Sequence, residues 1–583
     1  MPGAQGQGGD AADATLAALL TQARADYAAG RISTAEVLAR AALALAPGSA
    51  GARHVLAACH VAAGALAEAA DELAAVLAAM PGSVEVRLDL AQVLALLGRH
   101  REIVSLLEEA VAAQPGWVAA LRPLAAAQWE TGARDAAIAT WRRLVGLQPQ
   151  DGSAVAALGQ ALRQTGDRHG AKITLEQAVA LLASQPRDAA APAPALAEAR
   201  IGLAEVLIEI GLETPPGNEF VAEAVALVLR ARAEAPGSAA LILRCGALLH
   251  RASAYESALA CYAAALALEP GLHEARLYGA MLRLLHGDLA GGWHDYEARR
   301  HALSALGPLR TPPPTPWQVP EQLHGQTVRV ALEQGAGDGF QFVRYLPMLA
   351  ARGARVEVVA AEGSALVPLL EAMPAVSAIV GQVDAVPAAA VTVPLLSLPL
   401  AFGTELDTVP AQIPYLAAPA QRMAAWHARL AQDGDGRPRV GVAWWGNTAF
   451  VNDRQRSIPM ARFAAVLQRR DVAFHVLAPG LREGEAVGPL ATVHDGIRDY
   501  ADTAALTTLM DLVISVDTSV AHLAGALGRP VWLLLPYDPD WRWLLGRQDS
   551  PWYPTARLFR QPVRGDWESV LARVGEALDA RFG

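Results

Sequence analysis

Two patterns of apolar and polar positions divide the chain. Up to about residue 300, alanine-rich apolar stretches are punctuated at a constant step: Gly30, Gly64, Gly98, Gly132 and Gly166, and Pro47, Pro81, Pro115 and Pro149, both recur every 34 residues. Pro236 and Pro270 resume the step after an interruption. A glycine suits the left-handed turn that closes the first helix of a hairpin, and a proline stops the second. Each period therefore predicts helix, turn, helix. Small residues fall where paired helices must approach: Ala23, Ala57, Ala91, Ala125, Gly159 and Gly246 on the first, Ala35, Ala69, Ala137, Ala171 and Ala258 on the second. A generic bundle has no reason to keep one period, so a stacked array is expected.

From Thr327 the pattern changes to short β-branched runs alternating with helical stretches, as in TVRVALE, FQFVRYLPMLAARG and RVEVVA. A second set, RVGVAWWG, AFHVLAPG, DTAALTTLMDLVISV and VWLLLPYD, follows the break QDGDGRP. Strands alternating with helices predict parallel sheets, and two sets predict two Rossmann-like halves facing one cleft. The expected organisation is a flexible segment 1–12, a repeat array 13–304 with an irregular Pro-rich insertion near 186–218, a Pro-rich linker 305–326, and α/β halves 327–432 and 437–583.

Composition narrows the function. The 583 residues carry a net charge of −10, which gives no basic footprint for nucleic acid. Three cysteines, Cys59, Cys245 and Cys261, lack paired spacing, so neither a disulfide framework nor a zinc-type Cys site is indicated. The N-terminus lacks the pattern of a signal peptide, and Arg, Glu and Asp interrupt the apolar stretches, so a soluble cytoplasmic protein without a membrane span is expected.

Two motifs carry candidate chemistry. In EQGAGDGFQFVRYLP, a Gly-rich loop follows a strand and opens a helix at the carboxyl edge of the first sheet, where ligands bind. Gly335, Gly337 and Gly339 allow close approach of backbone to substrate, and Asp338 is either a general base or a helix cap. In DLVISVDTSVAHLAGALGRP, Asp517 and Thr518 end a strand and Ser519 opens a helix whose free amides favour a diphosphate. His522, one turn on, is either a phosphate or sugar contact or a structural histidine. The Asp-x-Asp pairs, Asp433 with Asp435 and Asp538 with Asp540, read as hydrated loop carboxylates, so no metal is expected. The tryptophans of AWWGN and DPDWRWLLG read as core or cleft wall.

The small positions of the array resemble those of tetratricopeptide (TPR) repeats, implying an α-solenoid that holds a protein segment. The two motifs resemble heptosyltransferase-like glycosyltransferases of the GT-B fold. With AWWGNTAFVNDRQRSIP and DWRWLLGRQDSPWYP, the chain is similar to bacterial TPR-linked glycosyltransferase-like proteins, some of which modify flagellin. That resemblance implies Asp338 as catalytic base and donor contacts from Gly335, Gly337, Asn447, Arg454 or Arg456, Asp517, Thr518, Ser519 and His522. It implies no cofactor and no metal, a nucleotide-sugar donor as substrate, and inverting transfer to Ser or Thr of a protein held by the array. The alternative is a non-enzymatic interaction scaffold with a degenerate transferase-like domain.

Overall fold

The computed structural model describes residues 7–185, 194–213, 218–302, 317–381, 390–432, 436–447, 453–478, 491–492 and 495–583. Residues 186–193 and 214–217 of the Pro-rich insertion and 305–316 of the linker lie outside these residues, as do Asp433 and Asp435, while the helix Pro194–Glu213 occupies the middle of the insertion. The chain divides into two compact units, Met1–Val206 and Leu207–Gly583.

The first unit is a run of helical hairpins, from Gln7–Ala28 with Ile32–Leu45 to Gly152–Gln164 with Arg168–Ser184. Each punctuating glycine takes the left-handed conformation, from Gly98 at φ 69° to Gly166 at φ 89°. The residue after it reaches back to close the helix end: Arg31, Ala65, Arg99, Ala133 and Asp167 donate to the carbonyls of Asp26, His60, Leu94, Gln128 and Leu162 at 2.8 to 3.0 Å. This is the glycine-terminated cap expected from the spacing. The turn after each of three prolines also starts the next helix. Two residues after Pro47, Pro81 and Pro149, the side chains of Ser49, Ser83 and Asp151 cap the next helix by accepting the amides of Ala52, Val86 and Ala154. The predicted small positions are buried at the helix contacts. At Gly159 an added Cβ would lie 2.6 Å from Leu175 Cγ, so no larger residue fits without separating the hairpin.

The second unit opens with more hairpins, Ala239–Arg251 with Tyr255–Leu268 and His273–Leu285 with Leu289–Tyr296, and a short helix Arg299–Ala302. The glycine period continues through a substitute, since Ser253, 34 residues before Gly287, also has positive φ.

A parallel sheet follows, built from β1 (Thr327–Ala331), β2 (Arg355–Val359), β3 (Ala378–Val380) and β4 (Ala390–Pro394) in the order β3-β2-β1-β4. A second parallel sheet comprises β5 (Arg439–Ala443), β6 (Ala473–Val476), β7 (Ala491–Thr492), β8 (Leu512–Val516), β9 (Val531–Leu535) and β10 (Ala556–Arg560), ordered β10-β9-β8-β5-β6-β7. Counted from its own first strand, this is the doubly wound order 3-2-1-4-5-6, and the first sheet reproduces its first four strands. β8 and β9 are buried along their whole length, as strands covered on both faces must be. The class is therefore α + α/β. Among the described residues, no helix is long and apolar enough to cross a membrane.

Candidate functional site

In an open doubly wound sheet, ligands bind beyond the carboxyl ends of the strands where the strand order reverses. Those points lie between β1 and β4 in the first sheet and between β5 and β8 in the second. Both predicted motifs emerge there.

After β1 the chain passes Glu333 and Gln334, which has φ 61°, and enters the helix Ala336–Phe342 with Gly335 as its N-cap residue. Asp338 stands at the third helical position, where its carboxylate accepts the Gly335 amide at 3.0 Å. Its other oxygen is paired with the Arg542 guanidinium. Capping and charge pairing thus coexist at Asp338. Burial pushes its carboxyl above the usual carboxylate range, with Arg542 opposing.

The second motif faces this loop. Asp517 follows β8, Thr518 is the N-cap residue, and the helix is Ser519–Ala526. A Cβ on Gly337 would lie 3.1 Å from His522 Cδ2, so the close approach that Gly337 permits is to the opposing helix. Gly339 likewise makes room for Leu366. At both glycines the missing side chain makes room for a neighbouring element. Ser519 bonds its hydroxyl to Tyr500 at 2.8 Å.

His522 is buried, with Nδ1 2.9 Å from the Tyr553 hydroxyl and Nε2 3.9 Å from Asp517. Its ring stacks on Trp543 at 5.1 Å between centroids. Burial, then Arg542 and Arg344, hold its pKa well below the usual histidine value, so the imidazole is neutral. Burial and the neighbouring Asp540 raise the Asp517 carboxyl to about 6.

The other predicted donor contacts divide. Arg456 donates to the Asp517 carbonyl at 3.1 Å and pairs with Asp453 at 3.3 Å, which places it at the site. Asn447, at the carboxyl side of β5, is exposed. Arg454 is turned away: its side chain is 90% exposed and its ion-pair contact is Glu213 at 4.0 Å. On the four-residue helix Asp453–Arg456 the side chains of positions 454 and 456 point in different directions, so only one of the two arginines reaches Asp517.

Several site residues have no role assigned from sequence, although Asp540 and Arg542 lie in the segment DWRWLLGRQDSPWYP. Arg542 sits on the turn Trp541–Trp543 after β9, donates to Asp540 at 2.8 Å, and lies over the Trp541 ring at 4.2 Å. Asp540 caps that turn through the Arg542 amide, and Asp538 bonds the Tyr255 hydroxyl. These carboxylates are engaged by protein groups and are not the hydrated loop carboxylates expected from sequence. Of the two readings offered for the tryptophans, Trp444, Trp541 and Trp543 take the first and are buried core residues.

The last hairpin reaches the same site. Arg299, with no exposed surface, donates to both oxygens of Glu333 at 2.8 and 3.2 Å, to Ser397 at 2.8 Å and to Glu297 at 2.7 Å. Glu333 also accepts the Leu396 amide at 2.9 Å, so one carboxylate ties together the loops after β1 and β4. Trp293 and Tyr296 flank Trp541 at 5.3 and 5.8 Å between centroids. A buried ion pair held by this many hydrogen bonds fixes the backbone just before Gly335. The signal available in sequence was an arginine in EARR and a glutamate at a strand end, neither of which names its partner.

No protein-family model matches the chain. Among curated proteins it is similar to Protein FlbA of Caulobacter vibrioides, 29% identical over 324 residues that make up 51% of this chain and 54% of that one. The chain thus spans about half the length of that relative. Among solved structures, a tetratricopeptide repeat protein from Parabacteroides merdae aligns with a TM-score of 0.35 and 15% identity, over 44% of this chain and 94% of its own. Pseudomonas aeruginosa pilF aligns with a TM-score of 0.31 and 17% identity, over 39% and 95% respectively.

Proposed function

We propose that the α/β region is an inverting, metal-independent glycosyltransferase that moves a sugar from a nucleotide-sugar donor to a Ser or Thr hydroxyl of a protein presented by the repeats. The observation that carries this reading is the meeting of Asp338, from the first sheet, with Asp517, His522 and Arg542, from the second. Two strand-order reversals there share one set of charged groups. The acceptor oxygen attacks the anomeric carbon, its proton passes to Asp338, and the bond to the diphosphate breaks with the electron pair leaving on the phosphate oxygen. The amides at the start of the Ser519 helix, with Arg456 and Arg542, supply positive character to the departing diphosphate. Neutral His522 offers a hydrogen bond without adding charge. Flagellin is the acceptor that the family resemblance suggests, and three buried cysteines that form no disulfide accord with a reducing, cytoplasmic setting.

One observation favours a second reading, a non-enzymatic scaffold. Both Asp338 oxygens are already engaged, so a base role requires Arg542 to exchange Asp338 for donor phosphate. The two readings part in one experiment, in which the purified protein meets a panel of nucleotide sugars and both binding and donor hydrolysis are followed. The transferase reading expects one donor to bind and Asp338→Asn to lower turnover by about 100-fold or more while binding persists. Absence of donor binding and turnover across the panel would leave the scaffold, and equal turnover in Asp338→Asn would remove Asp338 as the base.

A further inference from the structure

The repeats of the first unit are near copies, so a residue that departs from all its counterparts stands out. Three such departures converge. His54, on the helix Ala50–Ala62, faces Glu85 and Asp89, on the helix Val84–Leu96, and one ligand atom from each lies within 4.8 Å of the others. Stepping by 34 residues, His54 corresponds to Leu88, Arg122 and Ala156, Glu85 to Gly51, Ala119 and Ser153, and Asp89 to Val55, Pro123 and Ala157. None of these counterparts is a metal-ligating type, so the repeat architecture does not require the trio.

We propose that His54, Glu85 and Asp89 bind a divalent transition-metal ion, of which zinc is the best match, between two consecutive repeats. Glu85 and Asp89 are four residues apart and share one helix face, while His54 comes from the preceding repeat. One imidazole nitrogen and two carboxylates are a zinc-type donor set, with water completing the coordination. Calcium instead takes six to eight oxygens. His54 Nε2 is already 2.8 Å from Asp89 Oδ2, so these two donor atoms are brought together by a hydrogen bond that the ion would replace. Zinc bond lengths place neighbouring donors roughly 3.3 Å apart, so the trio closes by rotamer adjustments of about an ångström. Two carboxylates beside one imidazole leave negative charge to be matched. The adjacent arginines are committed elsewhere, Arg53 to Glu72 at 2.6 Å and Arg87 to the carbonyls of Pro81 and Leu106. The bound ion would join the first helices of two repeats and thereby stiffen the array at that step. This site is separate from the transferase reading and does not depend on it.

The test is isothermal titration of the full-length, chelator-treated protein with zinc chloride, alongside His54→Gln, Asp89→Asn and Glu85→Gln. A saturable site of one zinc per chain is expected in the wild type, weakened at least tenfold in His54→Gln and Asp89→Asn, with millimolar calcium or magnesium failing to compete. Thermal unfolding without zinc separates loss of a ligand from loss of fold, and Glu85→Gln repeats the comparison at an exposed side chain. The proposal is overturned if zinc does not bind, or if it binds the variants with the wild-type affinity and stoichiometry.

Discussion

Asp338 and Arg542 form an ion pair that spans 204 positions of sequence, joining the helix after β1 to the turn after β9. The pair is a direct charge link between the two motifs, and its guanidinium is shared with Asp540. Arg542→Gln therefore strands two carboxylates, one of them well buried. Removing one partner of such a pair costs about 3 kcal/mol or more, because the other charge stays desolvated. Urea unfolding at pH 7 should show that loss. The double variant Arg542→Gln with Asp338→Asn should recover part of it, since the stranded charge at Asp338 is gone. Strict additivity of the two single effects would mean that the pair is not coupled.

Asp517 gives a pH signature of defined sign. Its carboxyl is raised from an ordinary 3.8 to about 6, so between these values the folded protein holds a proton that the unfolded chain releases. Stability from this group is full at low pH and falls as pH rises from about 4 to 6. The total is on the order of 3 kcal/mol. His522 acts oppositely, because its depressed pKa makes folding lose stability as pH falls below the ordinary histidine range. The two effects overlap, so the measurement is a difference. Asp517→Asn should be the more stable protein at pH 7, and its advantage over wild type should shrink as pH is lowered from 6 to 4. An advantage independent of pH would contradict the raised carboxyl.

What could be read beforehand follows from the range of the forces involved. The left-handed turns at Gly30 through Gly166 are local backbone events, so a period of glycines marks them directly. Ser253 escapes that signal, because a serine held at φ 57° is recognised only once the surrounding hairpin is seen. The alternation of strand and helix was likewise visible after Thr327. The strand orders depend on which edges pair across tens of residues, and no local pattern encodes them. The site divides in the same way. Asp338, Asp517 and His522 stood in recognisable motifs, whereas Arg542 and Arg299 act through partners 204 and 34 residues distant. The glycines of the first loop were seen, but the side chains that crowd two of them, His522 and Leu366, were not.

Two glycine substitutions should separate backbone strain from crowding. Gly132 has φ 85° with nothing within 4 Å of an added Cβ, so Gly132→Ala tests the left-handed turn alone and should cost about 1 kcal/mol. At Gly246 the backbone has no positive φ, but a Cβ would lie 2.6 Å from the Tyr262 ring. Gly246→Ala should cost roughly 1 to 3 kcal/mol by forcing the hairpin apart. Chemical denaturation of both variants checks the order, and Tyr262→Ala should relieve the second penalty but not the first.

Arg299 offers the most direct test of whether the last hairpin belongs to the site. Its guanidinium is spread over Glu333, Ser397 and Glu297 in a geometry that uses its planar fork. An ammonium cannot reproduce that set, so Arg299→Lys should behave much like Arg299→Met, each losing about 3 to 5 kcal/mol. Because Glu333 also receives the Leu396 amide, freeing it loosens the backbone that leads into Gly335. Hydrogen exchange should then rise in 332–342 and 394–398 at conditions where the fold persists. If Arg299 were merely a stabilising contact of the repeats, exchange would rise in the hairpin Leu289–Tyr296 and leave those two loops protected. The compensating variant Arg299→Met with Glu333→Gln removes the buried charge while keeping a side-chain carbonyl that can accept the Leu396 amide. It should restore protection to the loop after β1 more fully than stability as a whole, which ties loop order to that one hydrogen bond.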